Sequence, residues 1–270
     1  MDTRPIGVFD SGLGGLTAVR ELRRQMPSEH IIYFGDTSRV PYGNRSPETL
    51  LKYARQDLRF LATFQPKAVV IACGTVSSNC LETLQAENDI PIIGVVEPAV
   101  LRAAAATRNR RVGLIATRAS VNSGAYQRRF AALAPEITLI GRPCPLFVPL
   151  VEEGRVRTGD SVIETVAAEY LTPLREEGVD TLVLGCTHYP LLREVIGAVM
   201  GPDVALIDVG QEAARAARAY LQAHSAAAPE GQGDVVYCTS DRPADFERMA
   251  RMFLYEDMEH CPRLVDIEAY

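Results

Sequence analysis

The sequence predicts an α/β fold of two similar lobes, each a mostly parallel sheet flanked by helices, with the active site between the lobes. Short apolar, β-branched runs alternate with amphipathic stretches along nearly the whole 270-residue chain, a pattern typical of strands that are buried on both faces. Polar segments follow several of these runs, at the carboxyl ends of strands where α/β proteins gather their binding residues. Two such segments carry a cysteine, one in each half of the chain, which indicates two half-molecules that face each other.

Composition favours a globular protein that acts on a small molecule. The chain is 47% hydrophobic and 23% charged, which argues against disorder and against repeat arrays. The net charge of −6 gives no reason to expect nucleic acid or an anionic membrane as a partner. The first residues lack the apolar core of a secretory signal, so we expect a cytoplasmic protein whose six cysteines form no disulfide framework.

Nine strands and several helix boundaries are predicted along the chain. Ser46 is expected to cap a helix that begins with Pro47, Pro190 to open another, and Gly178 to end a third. The segment 225–233, rich in Ala, Gly and Pro, is expected to form a surface loop. The predicted strands lie at 6–10, 30–35, 68–73, 91–96, 111–117, 137–141, 181–186, 204–209 and 234–240.

The chain is expected to leave the first lobe and later return to it. A boundary near residue 97 and a return near residue 207 give a first lobe of 1–96 plus 207–270 and a second lobe of 97–206. The two cysteine-bearing strand ends then fall one in each lobe.

The glycine-rich turn after the first strand is expected to bind an anion. Small residues at Ser11, Gly12, Gly14 and Gly15 allow a carboxylate or phosphate to approach backbone amides at the start of a helix. The dinucleotide-binding pattern fails because Thr17 stands where its third glycine belongs, and the phosphate-binding lysine loop and the serine nucleophile elbow are absent from the sequence. A nucleotide ligand is therefore disfavoured.

Cys73 and Cys186 are the strongest catalytic candidates. Each follows an apolar run and is flanked by small or hydroxylic residues, where backbone dipoles can stabilise a thiolate. His188 lies two residues beyond Cys186, but without a completing ligand motif a zinc site is disfavoured. The remaining cysteines are interpreted as inert buried residues: Cys80, Cys144, Cys238 and Cys261.

Two thiols in similar half-sites favour a reaction that inverts a carbon centre. Such a reaction needs a base on one face of the carbon and an acid on the other. One thiolate can remove the α-proton of an amino acid while the opposing thiol delivers a proton from the other side. This chemistry needs no cofactor, provided that the site stabilises the developing carbanion and excludes water.

Five motifs resemble those of the cofactor-independent glutamate racemases, within the wider aspartate/glutamate racemase superfamily. The resemblance implies a two-lobed isomerase that makes D-glutamate from L-glutamate for peptidoglycan without pyridoxal phosphate or a metal ion, and that forms a homodimer. The motifs are Asp-Ser-Gly-Leu-Gly-Gly at 10–15, Tyr-Phe-Gly-Asp-Thr-Ser-Arg-Val-Pro-Tyr-Gly at 33–43, Ala-Cys-Gly-Thr at 72–75, Pro-Leu-Val-Glu at 149–152 and Gly-Cys-Thr-His-Tyr-Pro at 185–190.

The same resemblance implies roles for individual residues. Cys73 and Cys186 correspond to the two acid/base thiols, with Asp10 assisting the first, His188 the second, and Glu152 acting as a further assisting acid. The implied substrate contacts are Asp10, Ser11, Tyr42, Gly43, Gly74, Thr75, Thr117, Thr187 and His188.

Gly74 departs from the family pattern, which has asparagine after the first cysteine. The departure removes a side-chain amide, and we expect the Gly74 backbone amide to remain available and asparagine to be tolerated there. It also leaves open a racemase for aspartate or another amino acid, or a non-catalytic amino-acid-binding relative. A hydrolase that uses only Cys186 and His188 is a further alternative, although it gives Cys73 no role.

Overall fold

The computed structural model describes residues 1–258 and 260–270. Its strands form two sheets, and every pairing among the described strands is parallel. The strands are β1 (Ile6–Asp10), β2 (Ile31–Gly35), β3 (Ala68–Ile71), β4 (Ile92–Gly94), β5 (Arg111–Ala116), β6 (Thr138–Pro143), β7 (Thr181–Leu184), β8 (Ala205–Asp208), β9 (Val235–Thr239) and β10 (Arg263–Leu264).

Helices cover these sheets and connect their strands. Their bounds are α1 (Leu16–Gln25), α2 (Pro47–Ala62), α3 (Gly74–Asn79), α4 (Leu81–Glu87), α5 (Val96–Ala106), α6 (Arg118–Asn122), α7 (Ala125–Leu133), α8 (Phe147–Glu152), α9 (Ser161–Glu176), α10 (Arg193–Met200), α11 (Val209–Ala223) and α12 (Pro243–Leu254). Short 3₁₀ turns lie at Thr37–Arg39, Tyr42–Asn44, Tyr189–Leu192 and Ile267–Ala269.

The first sheet has the strand order β10-β9-β2-β1-β3-β4. β1 lies between β2 and β3, and all five of its residues are buried, as its continuous apolar run predicts. Because β1 and β3 are adjacent and parallel, the segments that follow them emerge at the same edge of the sheet. Ser11 and Cys73 are thereby brought together.

The second sheet has the order β6-β5-β7-β8. Its two central strands, β5 and β7, end side by side, with Ile115 opposite Leu184 in the register. The residues that follow these two strands place Thr117 and Cys186 at one edge of this sheet. Each sheet therefore presents a cysteine at the carboxyl edge of its strands.

A continuous apolar core joins the two sheets. α11 leads from the end of β8 back toward the first sheet and packs against α1 and α5. Asp208 caps α11 by accepting hydrogen bonds from the backbone amides of Gly210 and Gln211, at 2.8 and 3.2 Å. The core includes Val8 of the first sheet and Leu182 of the second.

Most predicted elements are confirmed, with small shifts at their ends. Ser46 caps α2 with Pro47 at its first position, 225–233 is a loop, and Gly178 follows α9 with a φ of 72° that suits glycine. The predicted strands at 68–73 and 181–186 end earlier, at Ile71 and Leu184. The turns that carry the cysteines are therefore loop rather than strand.

Two expectations are wrong. The short strand β10 was not predicted, because it has only two residues, both exposed at the edge of the sheet, and leaves no apolar pattern in the sequence. Cys261 is exposed rather than buried, whereas Cys80, Cys144 and Cys238 are buried as expected. Within 1–258 and 260–270, no helix combines the length and apolarity that a membrane span requires.

Candidate active site

A cavity of about 320 Å³ lies where the carboxyl edges of the two sheets face each other. Its wall contains many of the residues that the sequence analysis singled out: Ser11, Gly12, Tyr42, Gly43, Cys73, Gly74, Thr75, Thr117, Glu152, Cys186, Thr187 and His188. The wall also contains residues that sequence reasoning missed, among them Asn44, Pro145 and Val148. Both cysteines therefore face one enclosed space.

Cys73 lies in the loop between β3 and α3 and is 4% exposed. Its Sγ lies 3.6 Å from Ser11 Oγ, and the backbone amides of Val76 and Ser11 also point to the sulfur. Burial of the sulfur, together with the nearby charge of Asp10, raises the pKa of the Cys73 thiol to about 12. Cys73 is therefore a neutral thiol at pH 7.

Cys186 is part of a chain of contacts that ends on a carboxylate. Its Sγ lies 3.9 Å from His188 Nδ1, and His188 Nε2 lies 3.1 Å from Glu152 Oε1. Burial disfavours the charged imidazole, but the hydrogen bonds to Cys186 and Glu152 outweigh it and raise the pKa of His188 to about 10. His188 is therefore an imidazolium at pH 7, and it lies between the Cys186 sulfur and the Glu152 carboxylate.

Asp10 lies behind the cavity wall rather than in it. The carboxylate accepts a hydrogen bond from the Gly12 amide at 3.0 Å, and Thr187 Oγ1 donates to it at 3.4 Å. Burial raises the pKa of Asp10, while the positive charge of His188 opposes that rise. Its position suits support of the wall residues Gly12 and Thr187 better than the direct substrate contact that the family resemblance implies.

Tyr42 lines the cavity, but its phenol points away from it. The ring is 1% exposed, and the hydroxyl donates to Asp36 Oδ2 and lies 3.3 Å from Asp57 Oδ2. Any contact between Tyr42 and a ligand must therefore come from its backbone. The sequence alone could not indicate this, because the two carboxylates come from separate elements.

Hydrogen bonds join the two sides of the cavity. Thr75 Oγ1 and Thr117 Oγ1 lie 3.0 Å apart, and Thr17 Oγ1 donates to the Thr187 carbonyl at 3.0 Å. The glycine-rich turn contributes to this approach, since a Cβ at Gly14 would lie 2.2 Å from Thr187 Oγ1. Gly14 thus allows contact with the opposite side rather than with a bound anion.

The two cysteine-bearing turns approach each other closely at Gly74. A Cβ at this position would lie 2.4 Å from the carbonyl oxygen of Gly185, the residue that precedes Cys186. Because the obstacle is backbone, a side chain at 74 can be accommodated only if the two turns move apart. This contact argues against the expectation that asparagine would be tolerated at 74, which stays a prediction.

Comparison with known proteins gives a consistent family assignment. The Asp/Glu/Hydantoin racemase family model matches residues 13–217. The glutamate racemase of Geobacter metallireducens is 48% identical over 94% of both chains, and that of Syntrophus aciditrophicus is 42% identical over 97% of both.

Solved structures agree with this assignment. The glutamate racemase of Francisella tularensis, solved in complex with D-glutamate, superposes with a TM-score of 0.92 at 38% identity and full coverage of both chains. The enzyme from Thermus thermophilus, solved with β-chloro-D-alanine, gives 0.88 at 41% identity, again with full coverage of both. On these similarities, and with a cysteine from each sheet facing one cavity, the chain belongs to the glutamate racemases of the Asp/Glu/Hydantoin racemase family.

Proposed function

We propose that this chain interconverts L- and D-glutamate by moving the α-proton between two thiols, Cys186 and Cys73. The observation that carries the proposal is the single cavity with one thiol on each of its two sides. Inversion requires a base and an acid on opposite faces of the α-carbon. D-glutamate bound to the Francisella tularensis relative supports glutamate as the substrate.

The two thiols lie in different electrostatic surroundings. The Cys186 thiolate, beside the His188 imidazolium, removes the α-proton from one enantiomer and becomes a thiol. The Cys73 thiol then gives its proton to the opposite face of the carbanion and becomes a thiolate. The backbone amides near the Cys73 sulfur stabilise this newly formed charge, and proton exchange or a reverse turnover restores the resting state.

A thiol with a pKa of about 12 suits this reaction in both directions. The α-proton of an amino acid is very weakly acidic, and the thiolate of a weakly acidic thiol is the stronger base. When Cys73 acts as the base, its burial therefore increases its basicity. The cost is that this thiolate forms only during turnover.

The polar residues of the wall are proposed to bind the substrate and stabilise the carbanion. Backbone amides and hydroxyl groups that are already in place need little reorganisation when charge develops on the substrate. Glu152 acts through its ion pair with His188, and Asp10 acts through Gly12 and Thr187. The proposed substrate contacts are Ser11, Tyr42, Gly43, Gly74, Thr75, Thr117, Thr187 and His188, with Tyr42 contributing its backbone.

We further propose the organisation and setting of the enzyme. Residues 1–96 with 207–270 form one lobe and residues 97–206 the other. The division of strands between the two sheets supports this to within two residues, because β8 ends at Asp208. The enzyme acts in the cytoplasm as a homodimer, and its D-glutamate serves peptidoglycan synthesis, as the family resemblance implies.

Replacing each thiol separately should divide the reaction into its two halves. We expect Cys73→Ser and Cys186→Ser each to lower net inversion by at least about 100-fold, because each removes one proton-transfer group. Each variant should still exchange the α-proton of one enantiomer with deuterated solvent, and the two variants should exchange opposite enantiomers. Proton NMR of each pure enantiomer measures this.

Cys261→Ser is the control, because Cys261 is exposed and outside the cavity, and it should behave like the unmodified enzyme. If either cavity variant keeps normal inversion, the two-thiol mechanism is wrong. A Cys-His hydrolase predicts instead that Cys73→Ser is nearly silent.

Removing the carboxylate at Glu152 should move the alkaline limb of the pH profile. The carboxylate helps to raise the pKa of His188 to about 10, so Glu152→Gln should lower that pKa. The imidazolium beside Cys186 is then lost at lower pH. We expect the alkaline fall of kcat/KM to shift to lower pH, with Glu153→Gln, which alters a neighbouring exposed glutamate, as the control. An alkaline fall of kcat/KM at unchanged or higher pH would contradict this role of Glu152.

A side chain at position 74 should slow the reaction by separating the two turns. We expect Gly74→Ala to lower kcat by at least about 10-fold and Gly74→Asn by more, since a displacement of about 1 Å in a proton-transfer site can cost about 100-fold. Gly197→Ala is the control, because a Cβ there meets only Leu206 Cδ1 at 4.0 Å. Normal kcat in Gly74→Asn would show that the Gly74–Gly185 contact does not set the geometry of the site.

A further inference from the structure

A buried polar cluster in the first lobe lies outside the residues assigned above. We define it as Asp36, Arg39, Gln56 and Asp57, which are all at most 8% exposed. The Arg39 guanidinium contacts Asp36 Oδ2 at 2.5 Å, Gln56 Oε1 at 2.6 Å and Asp57 Oδ1 at 2.9 Å. It also lies 4.3 Å from the centre of the Tyr53 ring.

The charges of this polar cluster depend on Arg39. Two buried carboxylates face one guanidinium, and buried charges are tolerated only when they are paired and hydrogen-bonded. Burial and the charge of Asp36 raise the pKa of Asp57 well above its usual range, and Arg39 opposes that rise. A planar guanidinium can contact both carboxylates and the Gln56 amide together, whereas the single ammonium of lysine lacks that fork geometry.

The polar cluster is connected directly to the substrate cavity. Arg39 ends the 3₁₀ turn Thr37–Arg39, and the next five residues, the wall segment 40–44, all line the cavity. The Tyr42 hydroxyl, from the middle of this segment, binds Asp36 and Asp57 of the cluster. The wall segment is therefore attached to the cluster at its start and at its centre.

The other side of the wall segment faces the second sheet. A Cβ at Gly43 would lie 3.2 Å from the side chain of Thr117, which leaves little room for the segment to move across the cavity. A displacement of the cluster would therefore change the position of the backbone at 42 and 43, where we place substrate contacts.

The C-terminal end of the chain covers the polar cluster. Glu268 Oε1 lies 3.4 Å from Arg39 Nη1, and Gln56 Nε2 donates to the Ile267 carbonyl at 3.4 Å. Ile267 is 3% exposed, whereas the Glu268 side chain is 63% exposed. The C-terminal turn thus covers the polar cluster. The Glu268 carboxylate stays exposed, so it can be replaced without changing a buried residue.

We propose that Arg39 is a positioning residue for racemisation, which holds the wall segment 40–44 so that its backbone can bind glutamate. The inference rests on the proposed function. Arg39 acts through Asp36, Asp57 and the Tyr42 hydroxyl, and it does not touch the substrate.

The test compares Arg39→Lys, Tyr42→Phe and Glu268→Gln with Arg55→Lys. Arg55 lies on α2 next to Gln56, forms an exposed ion pair with Glu87 of α4 at 2.5 Å, and is the matched control. We expect Arg39→Lys and Tyr42→Phe to raise KM for glutamate by about 10-fold, as loss of a hydrogen bond to a charged group would, with kcat changed by less than about 3-fold. Glu268→Gln should raise KM by about 2-fold.

A second readout separates positioning from folding. Near-UV circular dichroism gives the folded fraction, and calorimetric titration of D-glutamate into each variant gives a Kd that should rise in parallel with KM. Arg39→Met, which lacks the charge, should raise KM and Kd more than Arg39→Lys does. If Arg39→Lys fails to fold, the KM and Kd of Tyr42→Phe and Glu268→Gln test the inference instead.

Unchanged KM and Kd in folded Arg39→Lys and Tyr42→Phe would overturn the inference, as would a loss of kcat that only follows the folded fraction. These outcomes leave the proposed function intact, because the unmodified enzyme still racemises glutamate. If the unmodified enzyme binds glutamate without racemising it, the proposed function fails instead, whatever the variants show.

Discussion

The close approach of two backbone turns is the constraint on which the rest of the structure depends. Gly74 follows one cysteine, Gly185 precedes the other, and the space between them excludes even a Cβ at 74. Inversion of a carbon centre needs proton-transfer groups on opposite faces, so a single sheet edge cannot supply both. Two parallel sheets whose carboxyl edges face each other solve this problem, and glycine at position 74 allows the two turns to approach this closely.

The two sides of the cavity differ in their electrostatics despite their similar topology. Cys73 is buried among neutral groups with Asp10 nearby, so its proton is held strongly. Cys186 lies beside an imidazolium that Glu152 stabilises through a 3.1 Å contact. One side of the cavity thus holds a neutral, buried thiol, and the other places a cation and a carboxylate behind the sulfur.

Much of the fold, and the identity of the two thiols, could be predicted from the sequence. Continuous β-branched runs give parallel buried strands, and small polar residues after such runs indicate the binding edge. Local sequence could not show that the Tyr42 phenol points away from the cavity, that Asp10 lies behind the wall, or that Gly74 meets Gly185. Each of these depends on contacts between distant segments, and Pro145 and Val148 reach the cavity without any motif of their own.

The central claim, that two different thiols serve the two faces of the α-carbon, is tested most directly by the early phase of L-glutamate conversion in deuterated buffer. Two-base transfer predicts that the D-glutamate formed first already carries deuterium at the α-carbon, supplied by the solvent-exchanged thiol on the opposite face, while unconverted L-glutamate keeps its proton. D-glutamate that retains the original proton at early times would show that one group removes and returns it, and would contradict the account.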